Sequence, residues 1–334
     1  MMTFLELLTD KIIANNSNDF KDTLIVLPNK RARRMLQQNL SAKITHPCFS
    51  PTIYSIDELL RNLSRYRLGD DIELLGLLYL AYQNLGMGSQ QNLSKFFSWG
   101  LTFIHDINEI DMQLADAKAV FGNLSDIKEL ETVFGNENLS ENQKKYIDFY
   151  RKLYPLYSQF NQLLNEKELA YEGKIYKDVA EHLVDYVGKL NYKRYVFAGF
   201  QTLSPSEILV AEYFHHEHQA EFYFDTDNFY KDNYTPFIQK LRDGLKLRDF
   251  CWQFDDFAQQ EKTISVVGAP KSMGQIQYAI EQLENIKSKE GSLNDTVLVF
   301  SDESLITPFI HSYDCSQANL TMGFPLMATP AYAL

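Results

Sequence analysis

The beginning of the chain alternates between short apolar runs and stretches with helical periodicity. Thr23–Leu27 is an apolar run rich in β-branched side chains, and Pro28 ends it. Residues 48–54 predict a second strand, and residues 55–58 have the Ser-x-x-Glu pattern of a helix N-terminus. The order strand–helix–strand–helix predicts an α/β fold with a parallel sheet. The helix after the first strand is marked by apolar residues at helical spacing, namely Ala32, Met35, Leu36 and Leu40.

The pattern changes at about residue 70 to helical periodicity with almost no candidate strand, and it keeps this character to residue 189. Within this region, residues 122–139 contain interspersed Gly, Asn and Ser and predict a loop. Residues 142–164 predict one long helix rich in aromatic side chains. We interpret residues 70–189 as an all-helical insertion, with Trp99 and Phe103 in its core.

Strand character returns at residues 195–200 and 220–224. Between these strands, residues 204–207 combine a serine cap, a proline at the first helical position and a glutamate three residues after the cap, which predicts a helix start. We therefore predict a discontinuous first α/β domain made of residues 1–69 and 190–250, interrupted by the helical insertion.

The C-terminal part of the sequence predicts the start of a second α/β domain, over residues 255–334. The predicted elements are a helix at 236–247 that precedes it, a strand at 263–267, a helix at 275–286, a strand at 296–300 and a helix at 305–313. The apolar pattern is cut at residue 334, which predicts that the sequence is a segment of a longer protein.

Composition narrows the range of functions. A net charge of −12 argues against nucleic-acid binding over the whole surface, because nonspecific affinity comes from cations that face phosphates; a local basic groove remains compatible with it. Cys48, Cys251 and Cys315 have no metal-ligand spacing, so no zinc or iron–sulfur site is predicted. The acidic N-terminus does not resemble a signal peptide, and no apolar stretch is long enough for a membrane span. We expect a cytoplasmic protein without metal, cofactor or membrane contact.

The best functional clue is the basic start of the first predicted α/β helix, formed by Asn29, Lys30, Arg31 and Arg34. A positively charged helix start just beyond the carboxyl end of a parallel strand is where open α/β sheets hold ligands, phosphates included. The same charges are also compatible with a solvated face of an ordinary strand–helix unit. Pattern alone leaves both interpretations open.

A working phosphate-binding loop needs the string GxxxxGK[ST], and the sequence does not contain it. A catalytic nucleotide hydrolase also needs acidic residues at the end of a strand, to hold magnesium and position water. At the corresponding strand, Ala198 and Gly199 stand where the acids are needed, and Gln201 follows them. Asp225 and Asp227 end the next strand, and two acids in such a position are more often loop caps than metal ligands.

Several segments carry a resemblance to a known family. Residues 24–36 resemble the motif of UvrD-like superfamily 1 helicases that follows the phosphate-binding loop and touches single-stranded DNA. Residues 197–207 resemble the Asp-Glu-Phe-Gln-Asp segment of those helicases with its catalytic acids lost. The whole pattern is similar to AddB-like subunits of bacterial helicase–nucleases. The further segments that carry this similarity are residues 224–230 and 319–326, Trp99 with residues 106–111, and residues 171–176.

The resemblance implies a RecA-like parallel sheet with a degenerate ATP site. It implies single-stranded DNA contact by Asn29, Lys30, Arg31 and Arg34, a degenerate Walker B-like segment at Ala198, Gly199 and Gln201, and a catalytic AddA-type partner subunit. Such proteins carry a nuclease domain at their C-terminal end, whose paired acids and lysine are not found in this sequence. We therefore expect a non-catalytic, helicase-like DNA-binding scaffold acting in double-strand-break repair. The alternative is a protein-interaction module that docks a partner helicase without binding DNA.

Overall fold

The computed structural model describes residues 2–15, 20–87, 93–133, 140–232, 243, 245, 254–259, 261–316, 318–321, 323 and 332, with the side chains of residues 93–95, 129–133 and 231–232 excepted. The chain divides into two compact units, Met1–Gln260 and Glu261–Leu334. Most of the predicted helix at 236–247 and half of the family-like segment 319–326 lie outside the described residues.

The first unit is built on a four-stranded parallel sheet, which confirms the predicted α/β class. In sheet order its strands are β2 (Thr52–Ser55), β1 (Thr23–Leu27), β5 (Arg194–Ala198) and β6 (Glu221–Tyr223), so β1 and β5 are the central strands. Leu24 of β1 is aligned with Thr52 of β2 on one side and with Tyr195 of β5 on the other. A separate parallel pair is formed by β3 (Arg67–Leu68) and β4 (Leu169–Ala170).

Helices cover both faces of this sheet, which explains why β1 is a continuous apolar run. Alternate side chains of a strand point to opposite faces. Ile25 and Leu27 pack in one core with α1 and α2, whereas Leu24 and Val26 pack in the other with four helices. The covering helices are α1 (Phe4–Ala14) and α2 (Lys30–Lys43) on the first face, and α3 (Ile56–Leu63), α9 (Glu172–Glu181), α10 (Leu183–Val187) and α11 (Pro205–His218) on the second.

The helices between residues 70 and 189 bury an aromatic core of their own, in the same compact unit as the sheet. Trp99 and Phe103 pack in this core, as interpreted from the sequence. The separation of these helices from the sheet as an insertion domain stays a prediction. The helices are α4 (Asp71–Asn84), α5 (Leu93–Met112), α6 (Ala117–Val133), α7 (Glu141–Arg151) and α8 (Leu153–Glu166), and they lead into α9 and α10.

Two expectations for this region are wrong. The loop predicted at 122–139 is helical as far as Val133, because Phe121 and Ser125 are buried at a four-residue spacing and their packing offsets the poor helix propensity of Gly122. The single helix predicted at 142–164 is broken at Lys152. Pro155 explains the break, since proline cannot donate to the carbonyl four residues before it and is tolerated only in the first turn of a helix.

The second unit contains the two predicted helices, α13 (Lys271–Glu290) and α14 (Ile306–Ser312), around a small apolar core. The first unit also contains the short α12 (Phe229–Asp232). The strands predicted at 263–267 and 296–300 are not formed, because neither segment is paired in a sheet within residues 261–316. Both segments have strand-like composition, but strand pairing is not decided locally. Val266 is 93% exposed, and Val297 also faces solvent.

Candidate nucleic-acid interface

The candidate interface begins where β1 ends and α2 starts. Asn29 is the N-cap of α2, and its side-chain Oδ1 accepts a hydrogen bond from the backbone N–H of Ala32 at 2.9 Å. Asparagine is favoured in this position because it satisfies an N–H that has no partner within the helix. The cap fixes the direction in which the first turn of α2 leaves the sheet.

Lys30, Arg31 and Arg34 lie exposed on this first part of α2. The first turn contains no acidic residue, so the partial positive charge of the helix N-terminus adds to the side-chain charges. The structure therefore brings the four predicted residues together at one end of α2, at the carboxyl edge of the sheet.

Arg33 lies among these residues but has a different role. Its Nη1 donates to both carboxylate oxygens of Glu58, at 2.8 and 2.6 Å. Burial opposes ionisation of Glu58, but hydrogen bonds from Ser55 and the charge of Arg33 outweigh burial and lower the pKa of Glu58. Arg33 thus ties the start of α2 to the start of α3, a contact that the sequence pattern did not indicate.

Apolar groups lie close to Gly199 at the carboxyl end of β5, in the region where an α/β sheet of this order usually holds a nucleotide. Gly199 has a φ of +79°, and a Cβ atom at this position would lie 3.2 Å from the Phe4 ring and 3.7 Å from Pro28. Ala198 is fully buried in the core. Gln201 Nε2 donates to the backbone oxygen of Asp225 at 3.2 Å. The backbone N–H of Gly199 donates to the Tyr223 backbone oxygen at 2.8 Å.

Asp227, the second acid after β6, organises a loop. The carboxylate of Asp227 accepts hydrogen bonds from the backbone N–H groups of Phe229, Asp256 and Phe257, at 2.8, 2.8 and 2.9 Å. This confirms the loop-cap interpretation of Asp227. In the part of the chain that the structure describes, no three His, Cys, Asp or Glu side chains are grouped so that they could hold a metal ion.

A buried polar cluster lies among α5, α8 and α9. Its centre is Asp111, which is 1% exposed and accepts hydrogen bonds from Tyr157 Oη at 2.8 Å and from Lys177 Nζ at 3.0 Å. Tyr171 Oη donates to the second oxygen of the same carboxylate. Asn161 joins the cluster by accepting from Lys174 Nζ at 2.8 Å. Asp111 and Tyr171 come from two of the family-like segments, and the fold places them in contact.

The cluster shifts the pKa of its members in opposite directions. Burial and the charge of Asp111 raise the pKa of Tyr157 to about 12. Burial opposes the charge on Lys177, but the hydrogen bond and charge of Asp111 outweigh burial and raise the pKa of Lys177 to about 12. Burial lowers the pKa of Lys174 to about 8. The ammonium group of Lys174 contacts the neutral side chain of Asn161 and the ring of Tyr66, and these contacts do not outweigh its burial.

Lys174 should make stability depend on pH. Its pKa is lower in the folded chain than in the unfolded chain, so the unfolded state binds more protons between about pH 8 and pH 10.5, and wild-type stability rises with pH in that window. Relative to Lys174→Met, the free energy of unfolding of wild type should therefore rise by about 2 kcal/mol from neutral pH to the top of this window. This value is smaller than the full pKa shift would give, because the side chain is partly solvated.

Urea unfolding of both proteins across this pH range measures the effect. Lys118→Met, at an exposed position of α6, is the matched control and should show a constant difference from wild type. A stability difference for Lys174→Met that does not change with pH would contradict the burial of a charged Lys174.

Comparisons with known proteins add no family. No model of a protein family matches the chain, and a search of characterised proteins finds no significant match. Among the described residues, no helix has the length and apolar character that crossing a membrane requires.

Proposed function

We propose that this chain is a non-catalytic, helicase-like scaffold that binds single-stranded DNA in a helicase–nuclease complex acting in double-strand-break repair. In this proposal the parallel sheet is a RecA-like domain with a degenerate ATP site, the protein is cytoplasmic, and the partner is a catalytic subunit of the AddA type. The observation that carries the proposal lies at one sheet edge: the start of α2 has exposed cations, and Phe4 and Pro28 pack against Gly199, which follows the next strand of the sheet.

Two features support DNA over nucleotide as the ligand. The cations of Lys30, Arg31 and Arg34 are spread along α2 on exposed positions, which suits a phosphate backbone that passes over the helix. A mononucleotide instead needs a closed cradle of backbone N–H groups, whereas here the apolar side chains of Phe4 and Pro28 pack against Gly199.

Replacing Lys30, Arg31 and Arg34 together by Ala tests the proposal. We expect the affinity for a fluorescent single strand to fall about 100-fold at low salt, and the slope of log affinity against log salt to decrease by about 2, because three phosphate contacts are removed. Fluorescence anisotropy over a salt series measures both quantities.

The matched control removes the same charge elsewhere. Lys271, Lys287 and Lys289 are exposed on α13 of the second unit, and their replacement by Ala should leave the salt slope unchanged. Equal losses in the two triple variants would show that only net charge matters, and the assignment of the interface to α2 would then fail.

A second candidate is a protein-interaction module without DNA contact. The net charge of −12 favours it, as do exposed apolar side chains at helical spacing on α4 and α5. Ile72 is 78% exposed, and Leu80, Phe97 and Leu101 are also exposed. If the purified protein does not retain single-stranded DNA at low salt, this candidate replaces the first.

A further inference from the structure

Helix α7 carries two tyrosine rings in contact with each other, an exposed one and a half-buried one. Tyr146 is 44% exposed, and its ring lies 4.9 Å from that of Tyr150 in an edge-to-face contact. The hydroxyl oxygens of the two rings are 3.4 Å apart. We call Tyr146 and Tyr150 the outer tyrosine pair. An edge-to-face contact does not cover both faces of a ring, and the exposed Tyr146 therefore keeps planar ring surface that a ligand can reach.

Core packing accounts for one member of the pair only. Tyr150 is half-buried against the aromatic core, whereas Tyr146 is exposed and is not part of that core. The pair is nevertheless held firmly from below: the Tyr150 ring contacts Phe149 at 5.5 Å, and Phe149 contacts Trp99 of α5 at 5.6 Å. A supported, solvent-facing aromatic surface needs no reorganisation to receive another ring.

The charge around the pair favours a polyanion. The segment 141–152 contains four cationic residues and two acidic residues, in a chain whose net charge is −12. Lys144 is paired with Glu141, and Lys152 with Asp148, near the surface. Exposed ion pairs of this kind contribute little stability, so a phosphate can exchange with the carboxylate at low cost. The cationic residues are Lys144, Lys145, Arg151 and Lys152.

We propose that the outer tyrosine pair, with the lysines beside it, is a stacking site for the bases of single-stranded nucleic acid. Aromatic rings that face solvent next to cations match the two chemical features of a single strand, namely planar bases and phosphates. Duplex DNA fits less well because its bases are already stacked on each other. The proposal rests on the proposed function and adds to it a contact distant in sequence from α2.

The test compares Tyr146→Ala/Tyr150→Ala with Tyr146→Phe/Tyr150→Phe in binding to a fluorescent oligothymidylate of about 15 nucleotides, the upper end of single-strand site sizes. The alanine variant should weaken binding about tenfold or more, whereas the phenylalanine variant should stay within about twofold of wild type, because stacking needs the ring and not the hydroxyl. Tyr278→Ala, which removes an exposed ring from α13, is the control and should bind as wild type.

A second measurement does not depend on variants. An oligonucleotide carrying 5-iododeoxyuridine should crosslink under ultraviolet light to the peptide that contains the outer tyrosine pair. Unchanged binding by the alanine variant, or equal loss in the alanine and phenylalanine variants, overturns the stacking site while the proposed function stands. If wild type binds no single strand at low salt, both fail.

Discussion

Replacing Asp111 by Ala is expected to lower the free energy of unfolding by about 3–5 kcal/mol, because it leaves a buried cluster without its acceptor. The carboxylate accepts from Tyr157, Tyr171 and Lys177, and it is almost fully buried. Removal takes this acceptor from two hydroxyl groups and an ammonium group that lie largely away from water. A buried donor that is left without an acceptor costs more free energy than the same hydrogen bond contributes net to stability.

Urea unfolding monitored by circular dichroism measures this loss. Asp106→Ala, at an exposed position of the same helix, is the matched control and should change stability by less than about 0.5 kcal/mol. Adding Lys177→Met to Asp111→Ala should recover part of the loss, with a coupling of about 1–3 kcal/mol, since the unpaired ammonium group is then gone. A loss below about 1 kcal/mol for Asp111→Ala would show that water or a rearrangement compensates the cluster.

Local patterns predict the parts of the fold whose physical causes are local. β1 is predictable because burial on both faces demands a continuous apolar run, and it is fully buried. The start of α11 is predictable because a serine cap, a proline and a glutamate each satisfy or avoid an unpaired N–H, and the capping box is formed by Ser204 and Glu207. The helical spacing of the apolar residues of α2 also places the cations Lys30, Arg31 and Arg34 on a different face of the helix, and these cations are exposed.

The failures have nonlocal causes. The C-terminal part of α6 is not predicted because the burial of Phe121 and Ser125 depends on neighbouring helices and not on the Gly and Asn content of the segment. The apolar surroundings of Gly199 are not predicted because Phe4, which packs against it, lies far from it along the sequence. The partners of Asp111 are 46 to 66 residues away along the chain, and no spacing rule connects positions so far apart.

A second large loss of stability is expected from a substitution at the contact between α5 and α9. Gly173, at the start of α9, donates its backbone N–H to the side chain of Asn108 at 2.6 Å. A Cβ atom on Gly173 would lie 2.2 Å from the backbone oxygen of Asn108 and 2.9 Å from its carbonyl carbon. Backbone atoms cannot rotate away as a flexible side chain does, so α9 must move from α5. We expect Gly173→Ala to lower the free energy of unfolding by about 3 kcal/mol or more.

Gly76→Ala is a control of opposite sign. Gly76 lies on the exposed side of α4, and a methyl group added there would meet no described atom within 4 Å. The methyl group should therefore only improve helix propensity and stabilise the protein by about 0.5–1 kcal/mol. Urea unfolding of the two variants compares them directly. Equal behaviour would contradict the close approach of α5 and α9.

Gly173 and Asp111 should also be coupled, because both act on the contact between α5 and α9. Movement of α9 away from α5 separates Lys177 from Asp111, so the variant that combines Gly173→Ala with Asp111→Ala should lose less stability than the two single losses together. Neighbouring sites of this kind deviate from additivity by about 0.5–3 kcal/mol. If the two losses of stability are strictly additive, the Gly173 contact and the polar cluster hold the two helices together independently. The polar cluster would then tolerate the movement of α9 that the added methyl group imposes.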